Sequence, residues 1–319
     1  MRSSDIEVRR KPHVACIVLN WNGGRDTIEC LNALSGCAYP SLTVIVVDNN
    51  STDDSVARIR AAHPDIPLLQ SGANLGFASG NNVGIRYALE QKVDYLWLLN
   101  NDTKPADNAL SALVDKALSD ERIGAVASVC YYANNPSMVQ IWAGGRANLW
   151  IGYTPYSTQP RTDDWFHWLN GTSLLVSVKA IKNTGFLDER FFLYCEDSEF
   201  CLRLRKRGWK LAAAPTSIVL HKVSASTGGN RLLFDRYSTA STLLILQLHS
   251  PAPYLAMSLF LLVRFAKRLL RFRFKRCWSV YLGMRDYVRT LSASPNFVET
   301  RRPFLAAPAT KDTQREADR

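Results

Sequence analysis

The sequence lacks the marks of several protein classes. None of its seven cysteines falls in a Cys-x-x-Cys pair or at a zinc-finger spacing, which argues against a structural zinc site. The set is odd and scattered (Cys16, Cys30, Cys37, Cys130, Cys195, Cys201, Cys277) and reads as free thiols in a reducing cytosol. No uninterrupted apolar run reaches the roughly 18 residues that argue for a membrane-crossing helix; the best candidate, 254–263, stops at Arg264. The opening MRSSDIEVRRKPH has no apolar centre of the secretory-signal kind. The glycine-rich loop NLGFASGNN (74–82) carries neither a Walker lysine nor the Rossmann glycine spacing. There is no internal repeat. Acids are in short supply, 28 against 39 basic residues. The resulting charge of +11 points to an anionic partner: nucleic acid, a phosphorylated substrate or anionic lipid.

What is present has a regular grammar. HVACIVLNWNG, LTVIVVDNNSTDDS, IPLLQ, DYLWLLNNDTKP and IGAVASVCYY each hold a short apolar run. Between the first four and before the fifth lie segments with helical spacing, such as Ile28, Leu31 and Leu34. Strands alternating with helices predict an α/β domain: a Rossmann-like, mostly parallel sheet with helices on both faces. Ligands of such sheets bind beyond the carboxyl ends of the strands. The polar clusters at Asn20, Asp48–Asn50 and Asn100–Asp102 all fall there. After about Tyr132 the pattern loosens. NGTSLLVSVKAI offers a strand and a turn, IVLHKVSAST a short strand ending at His221, and the chain is helical in flavour from about Leu232.

Each cluster has a bland reading and a chemical one. Asp48 could cap the next helix, but Ser51–Asp53 can do so, leaving Asp48 to accept from a nucleobase or ribose. Asn74 and Gly76 sit in a loop that is either an ordinary turn or a backbone cradle for a diphosphate at a helix start. Asp102 closes an apolar strand and suits Mg2+ or Mn2+, which need few carboxylates when a substrate supplies phosphates. His221 could add a ligand or be an ordinary core or surface histidine. In FFLYCEDSEFCLRLRKRGW, the acids Glu196, Asp197 and Glu199 either favour a helix N-terminus or serve catalysis or metal binding.

Taken in order, VLNWNGGRDTIECLNAL, VIVVDNNSTDDS, NLGFASGNNVGI, YLWLLNNDT, GFLDERFFLYCEDSEFCLRLRKRGW and LHKVSAST resemble a family 2 glycosyltransferase of the GT-A fold. The similarity spans about 14–226 and is closest to rhamnosyltransferase-like members that build bacterial surface polysaccharides. It implies that Asp48, with Asn50 beside it, holds the nucleotide. The family's Asp-x-Asp motif falls on Asn100, Asn101 and Asp102, so that Asp102 becomes the direct metal ligand and Asn100 a contact to donor sugar or ribose. His221 would complete the metal site. Asp197 would be the general base of a single inverting displacement, with Glu196 and Glu199 in support, orienting the acceptor or capping and solubilising the helix. Trp168, Asn170 and Gly171 would lie on the acceptor side, Trp168 as a sugar platform or as core. The expected donor is dTDP-rhamnose, with a UDP-hexose as rival; a non-catalytic scaffold is the rival from another class. The expected acceptor is a glycan or a lipid-linked sugar.

LLVRFAKRLLRFRFKR holds seven basic residues and no acid. As one helix it sets Arg264, Lys267, Arg268, Arg271 and Lys275 on one stripe and Leu262, Phe265, Leu269 and Phe272 on another. Such a helix either lies on an anionic membrane or packs as a solvated basic face. No nucleic-acid module accompanies it. The expected organisation is a GT-A domain over 1–231, a membrane-associating helical region over 232–302 and a disordered tail over 303–319. The enzyme would be cytoplasmic and peripheral on the inner face of the cell membrane.

Overall fold

The computed structural model describes residues 10–222 and 230–292. The disordered-tail expectation for 303–319 and the end of the LHKVSAST motif lie outside them. The first strand, β1 (Val14–Asn20), is buried on both faces. Ala15 and Ile17 enter one hydrophobic core, and Val14, Cys16 and Val18 enter the other. Helix α1 (Gly24–Ser35) buries Leu31 and Leu34 as the spacing predicts and ends at Gly36. The alternation continues through β2 (Leu42–Asp48), α2 (Ser55–Ala62), β3 (Leu68–Gln70), α3 (Gly76–Glu90) and β4 (Tyr95–Asn100). These strands pair in parallel, with Asn20 opposite Asp48 and Leu19 opposite Asn100. That register brings the polar strand ends onto one rim.

Beyond β4 come β5 (Thr103–Pro105), α4 (Ala109–Leu118), β6 (Ile123–Tyr132) and β7 (Asn135–Trp142). A two-stranded sheet of β8 (Gly144–Gly145) and β9 (Trp168–Leu169) follows. Then come β10 (Ser173–Ser177), α5 (Val178–Thr184), α6 (Glu196–Lys206) and β11 (Lys210–His221). The main sheet has the order β3-β2-β1-β4-β10-β6-β11-β5, with β7 on β6. It is mainly parallel: β5, β7 and β10 run against the other strands. The predicted turn after Ser177 is helix α5, and the predicted short strand at His221 begins at Lys210. Pairing of His221 with Thr103 carries the histidine to Asp102.

Helices α7 (Arg231–His249), α8 (Pro253–Leu269) and α9 (Phe274–Ser292) form a layer with a small core of Leu243, Leu246, Met257 and Phe260. Leu244 and Ile245 join this layer to Phe191, which precedes α6. The single basic helix does not form. α8 ends at Leu269, Phe272 takes a left-handed φ of 52°, and α9 starts at Phe274. Arg264 and Arg268 turn inward, because Asp235 of α7 is fully buried and draws them as counter-charges. Lys267, Arg271, Arg273 and Lys275 stay exposed.

Candidate active site

Side chains from successive strand ends are tied into one chain of hydrogen bonds. Asn101 donates to Thr27 Oγ1 (3.0 Å), Thr27 to Asn20 Oδ1 (2.7 Å), and Asn20 to Asp48 Oδ1 (2.7 Å). Ser51 completes it through its hydroxyl (2.6 Å) and backbone N–H (3.0 Å) to Asp48. Of the capping set Ser51–Asp53, Asp53 does accept from the N–H of Ser55, the first residue of α2, at 3.1 Å. Ser51 does not: it serves the buried Asp48 carboxylate instead, so Asp48 is not left free as expected. Asn50 is exposed in a left-handed turn (φ 61°). Its neighbour Asn49, missed from sequence, does the bridging: it donates to Asn74 Oδ1 and the Gly76 carbonyl and accepts from Leu75 N–H.

Gly76 takes φ +78°, and a Cβ there would meet the Phe192 carbonyl oxygen at 2.3 Å. Only glycine fits, because it lacks both the strain and the atom. Phe77 N–H donates to that same oxygen at 2.7 Å, joining the glycine loop to the segment that leads into α6.

At the next strand end, Asp102 Oδ1 lies 3.3 Å from His221 Nε2. Nδ1 of the ring pairs with Gln140 Oε1 at 2.8 Å. An amide oxygen accepts, so Nδ1 donates to Gln140 and Nε2 is left facing the carboxylate. At that distance the ring nitrogen and the carboxylate oxygen share a proton or a cation. The side-chain oxygen of Asn100 is buried without a partner. Among the described residues no group of three or more His, Cys, Asp or Glu is placed to hold a metal ion by itself. Asp102, His221 and Asn100 nonetheless fit a hard divalent ion whose remaining ligands are substrate oxygens and water. Lys222 secures this corner: its N–H donates to the Asp102 carbonyl and its ammonium to Asp26 and Glu29 of α1.

The acidic start of α6 divides its labour. Tyr194 (φ 73°) and Cys195 (φ 65°) enter the helix in left-handed conformations, the kind of strain found where a side chain must be aimed. Asp197 accepts from Gly171 N–H (2.9 Å) and from the N–H and hydroxyl of Ser198 (2.6 and 3.1 Å). Withdrawal from water raises its pKa, against those hydrogen bonds. Glu196 is buried, one carboxyl oxygen has no partner, and burial followed by the Asp197 charge raises its pKa. Burial and mutual repulsion disfavour charging both carboxyls at once, and the donors from Gly171 and Ser198 favour the charge on Asp197. Glu199 faces away. Burial acts to raise its pKa, but Arg203 and His249 overcome this and hold it below the ordinary range. Its bonds to Arg203 Nε (2.8 Å) and to the His249 ring (3.2 Å) fix α6 to α7. It neither solubilises the helix nor lines the site.

Asn100, Asp102, Trp168, Asn170, Gly171, Glu196, Asp197 and His221 share the walls of one cleft of about 840 Å³. Asn20, Asp48, Asn50, Asn74, Gly76 and Asn101 are not on its walls. Trp168 is both core and wall: it is buried beside Gly145, and its indole N–H donates to the Arg146 carbonyl. Asn170 fixes its turn by accepting from Thr172 N–H and hydroxyl. Sequence reasoning missed Tyr153 and Tyr156, which are exposed in the cleft, and Arg231, Ser238, Thr242 and Arg264 from the helical layer. The spacing of 231, 238 and 242 along α7 is the one signal that placed the first three on a single face.

This architecture recurs among solved glycosyltransferases. A mannosyltransferase of Pyrobaculum calidifontis, in complex with GDP-Man and Mn2+, matches 90% of this chain and 77% of its own at a TM-score of 0.56 and 19% identity. The fold is GT-A. Within that class the chain belongs to glycosyltransferase-like family 2, whose model matches residues 12–236. It is 28% identical over 236 residues to the N-acetylglucosaminyl-diphospho-decaprenol L-rhamnosyltransferase of Mycobacterium tuberculosis, spanning 66% of this chain and 76% of that one. It is 24% identical over 222 residues to a dTDP-rhamnosyl transferase of Shigella flexneri, spanning 66% and 69%.

Proposed function

We propose that this glycosyltransferase moves rhamnose from dTDP-rhamnose to a glycan or lipid-diphosphate-linked sugar, with inversion, using Asp197 as general base. The observation that carries the reading is the Asp197 carboxyl, held by Gly171 and Ser198 in the same cleft as the Asp102–His221 pair. Its raised pKa brings it nearer the working pH, where a base is most effective at taking the acceptor hydroxyl proton as the new bond forms. Glu196, kept neutral beside it, adds no second charge to repel the donor. Asp102 and His221 would hold Mg2+ or Mn2+, with Asn100 oriented toward donor or ion. Such an ion, when bound, offsets charge on the departing diphosphate. The Asn20–Asp48–Ser51 network would shape the nucleotide end from behind and Asn49 would set the loop at Asn74 and Gly76, while Asn50 and Asn101 flank it. Trp168, Asn170 and Gly171 would bound the acceptor. The rhamnose preference is supported by the names of the relatives.

The enzyme would work peripherally on the cytoplasmic membrane face. No helix among the described residues is long and apolar enough to cross a membrane. Leu269, Leu270, Phe272, Phe274 and Trp278 are nevertheless exposed around the turn from α8 to α9. Exposed Lys267, Arg271, Arg273 and Lys275 flank them. Aromatic and aliphatic side chains rimmed by cations suit an anionic bilayer interface.

Saturation-transfer NMR against a panel of nucleotide sugars, with and without Mg2+ or Mn2+, tests the donor. Metal-strengthened binding of dTDP-rhamnose is expected. A preference for a uridine sugar would overturn the donor but not the class.

A further inference from the structure

The α7 side of the cleft carries a charge imbalance. Asp235 is fully buried, and its carboxylate receives Arg264, Arg268 and Arg276 from α8 and α9. One carboxylate among those guanidiniums leaves two positive charges unmatched. Of the three, only Arg264 lines the cleft, and Arg231 from α7 lines it too. Arg264 is aimed by its bonds to Ser238 Oγ and Asp235 and by stacking on Phe260, 5.2 Å from the ring centre. Its Nε is buried with no partner. Burial and then Arg268 lower its pKa to about 10, so it remains cationic at neutral pH.

A transferase donor brings one diphosphate, and the Asp102–His221 end is already suited to it. We infer that Arg264 and Arg231 bind the phosphate or diphosphate of a lipid-linked acceptor, with Asp235 as the positioning residue. The neighbours of Arg264 supply the lipid half of the argument: Leu262 and Val263 are 66% and 48% exposed on the same helix. The helix that presents Arg264 to the cleft thus also carries an exposed apolar surface of the kind a lipid tail needs. The inference rests on the transferase reading and names the acceptor class for that site.

The test uses the full chain, first saturated with Mn2+ and whichever of dTDP or UDP it binds, and then titrated calorimetrically with farnesyl diphosphate and with farnesol. Farnesyl diphosphate should bind and farnesol should bind much less. Arg264→Gln and Arg231→Gln should each weaken farnesyl diphosphate by about tenfold or more, the scale of a lost charge-assisted hydrogen bond. Nucleotide affinity should stay unchanged. Arg231 is exposed, so its variant keeps the test available if Arg264→Gln fails to fold. Equal binding by wild type and variants, or equal binding of farnesol, would overturn the inference. So would loss of nucleotide affinity in the variants, which would move the arginines to the donor. A wild type that binds nucleotide but no farnesyl diphosphate would refute this site and leave the transferase reading standing; one that binds no nucleotide would refute both.

Discussion

Gln140 holds the far side of the His221 ring: its Oε1 sits 2.8 Å from Nδ1 while Nε2 faces Asp102 at 3.3 Å. A residue on an edge strand thereby chooses the tautomer presented to the proposed metal.

Gln140→Leu should accordingly weaken Mn2+ binding by about 10- to 100-fold, as loss of an outer partner of a ligating histidine does. Manganese titration in the presence of nucleoside diphosphate reads this directly. An unchanged titration would show that the ring needs no such support.

Asp197→Asn keeps the shape of the carboxylate and removes its basicity. Turnover should fall by about 10²- to 10⁴-fold, the span of general base catalysis, with nucleotide binding nearly intact. Single-turnover transfer at saturating donor and acceptor separates the two. Retained transfer would remove Asp197 as the base.

The Glu196–Asp197 pair predicts a bell-shaped pH profile. Activity should rise with pH as Asp197 ionises from its raised pKa, and fall when Glu196 ionises, because a second charge then faces the donor phosphates. Glu196→Gln should abolish the alkaline fall and leave the acid limb. If the alkaline limb of kcat/KM survives in that variant, another group causes it.

Glu199→Ala should cost stability rather than chemistry. It strands Arg203 and His249, and breaking a buried ion pair from one side costs about 3–5 kcal/mol. Because the pKa of Glu199 is lowered on folding, its contribution is present above its unfolded value and is lost as pH falls through the folded one. Denaturant melts should show the gap between wild type and variant shrinking on acidification. A gap that is constant with pH would mean the loss is packing alone.

Replacing Lys267, Arg271, Arg273 and Lys275 with Glu should release the protein from anionic vesicles in a flotation assay. Arg264 and Arg268 are left out because Asp235 engages them. Unaltered flotation would favour adhesion through the aromatic turn alone.

The first half of the fold was legible because each strand is an apolar run closed by polar residues, and parallel strands in register must bring those closures together. The Asp102–His221 meeting was legible only through family resemblance, since it depends on β11 pairing with β5 across a long stretch of chain. Two readings failed because a buried carboxylate outcompetes the role that local pattern suggests. Ser51 turns to Asp48 three residues back rather than to the helix ahead, and Arg264 turns to Asp235 of another helix rather than to the surface. Charge compensation between helices, as at Asp235, leaves no periodic trace in a sequence. The cleft residues of α7 escaped notice because a polar face turned inward looks the same as one turned to water.

The fit at Gly76 has a mechanical consequence. With no room for a Cβ beside the Phe192 carbonyl, and with Phe77 bonded to that oxygen, the loop at the proposed nucleotide end and the segment leading to Asp197 abut without slack. The proposed donor loop and the proposed base are thus joined through one backbone contact. A substitution at Gly76 would have to move both, so that neither loop can be redesigned without recutting the other.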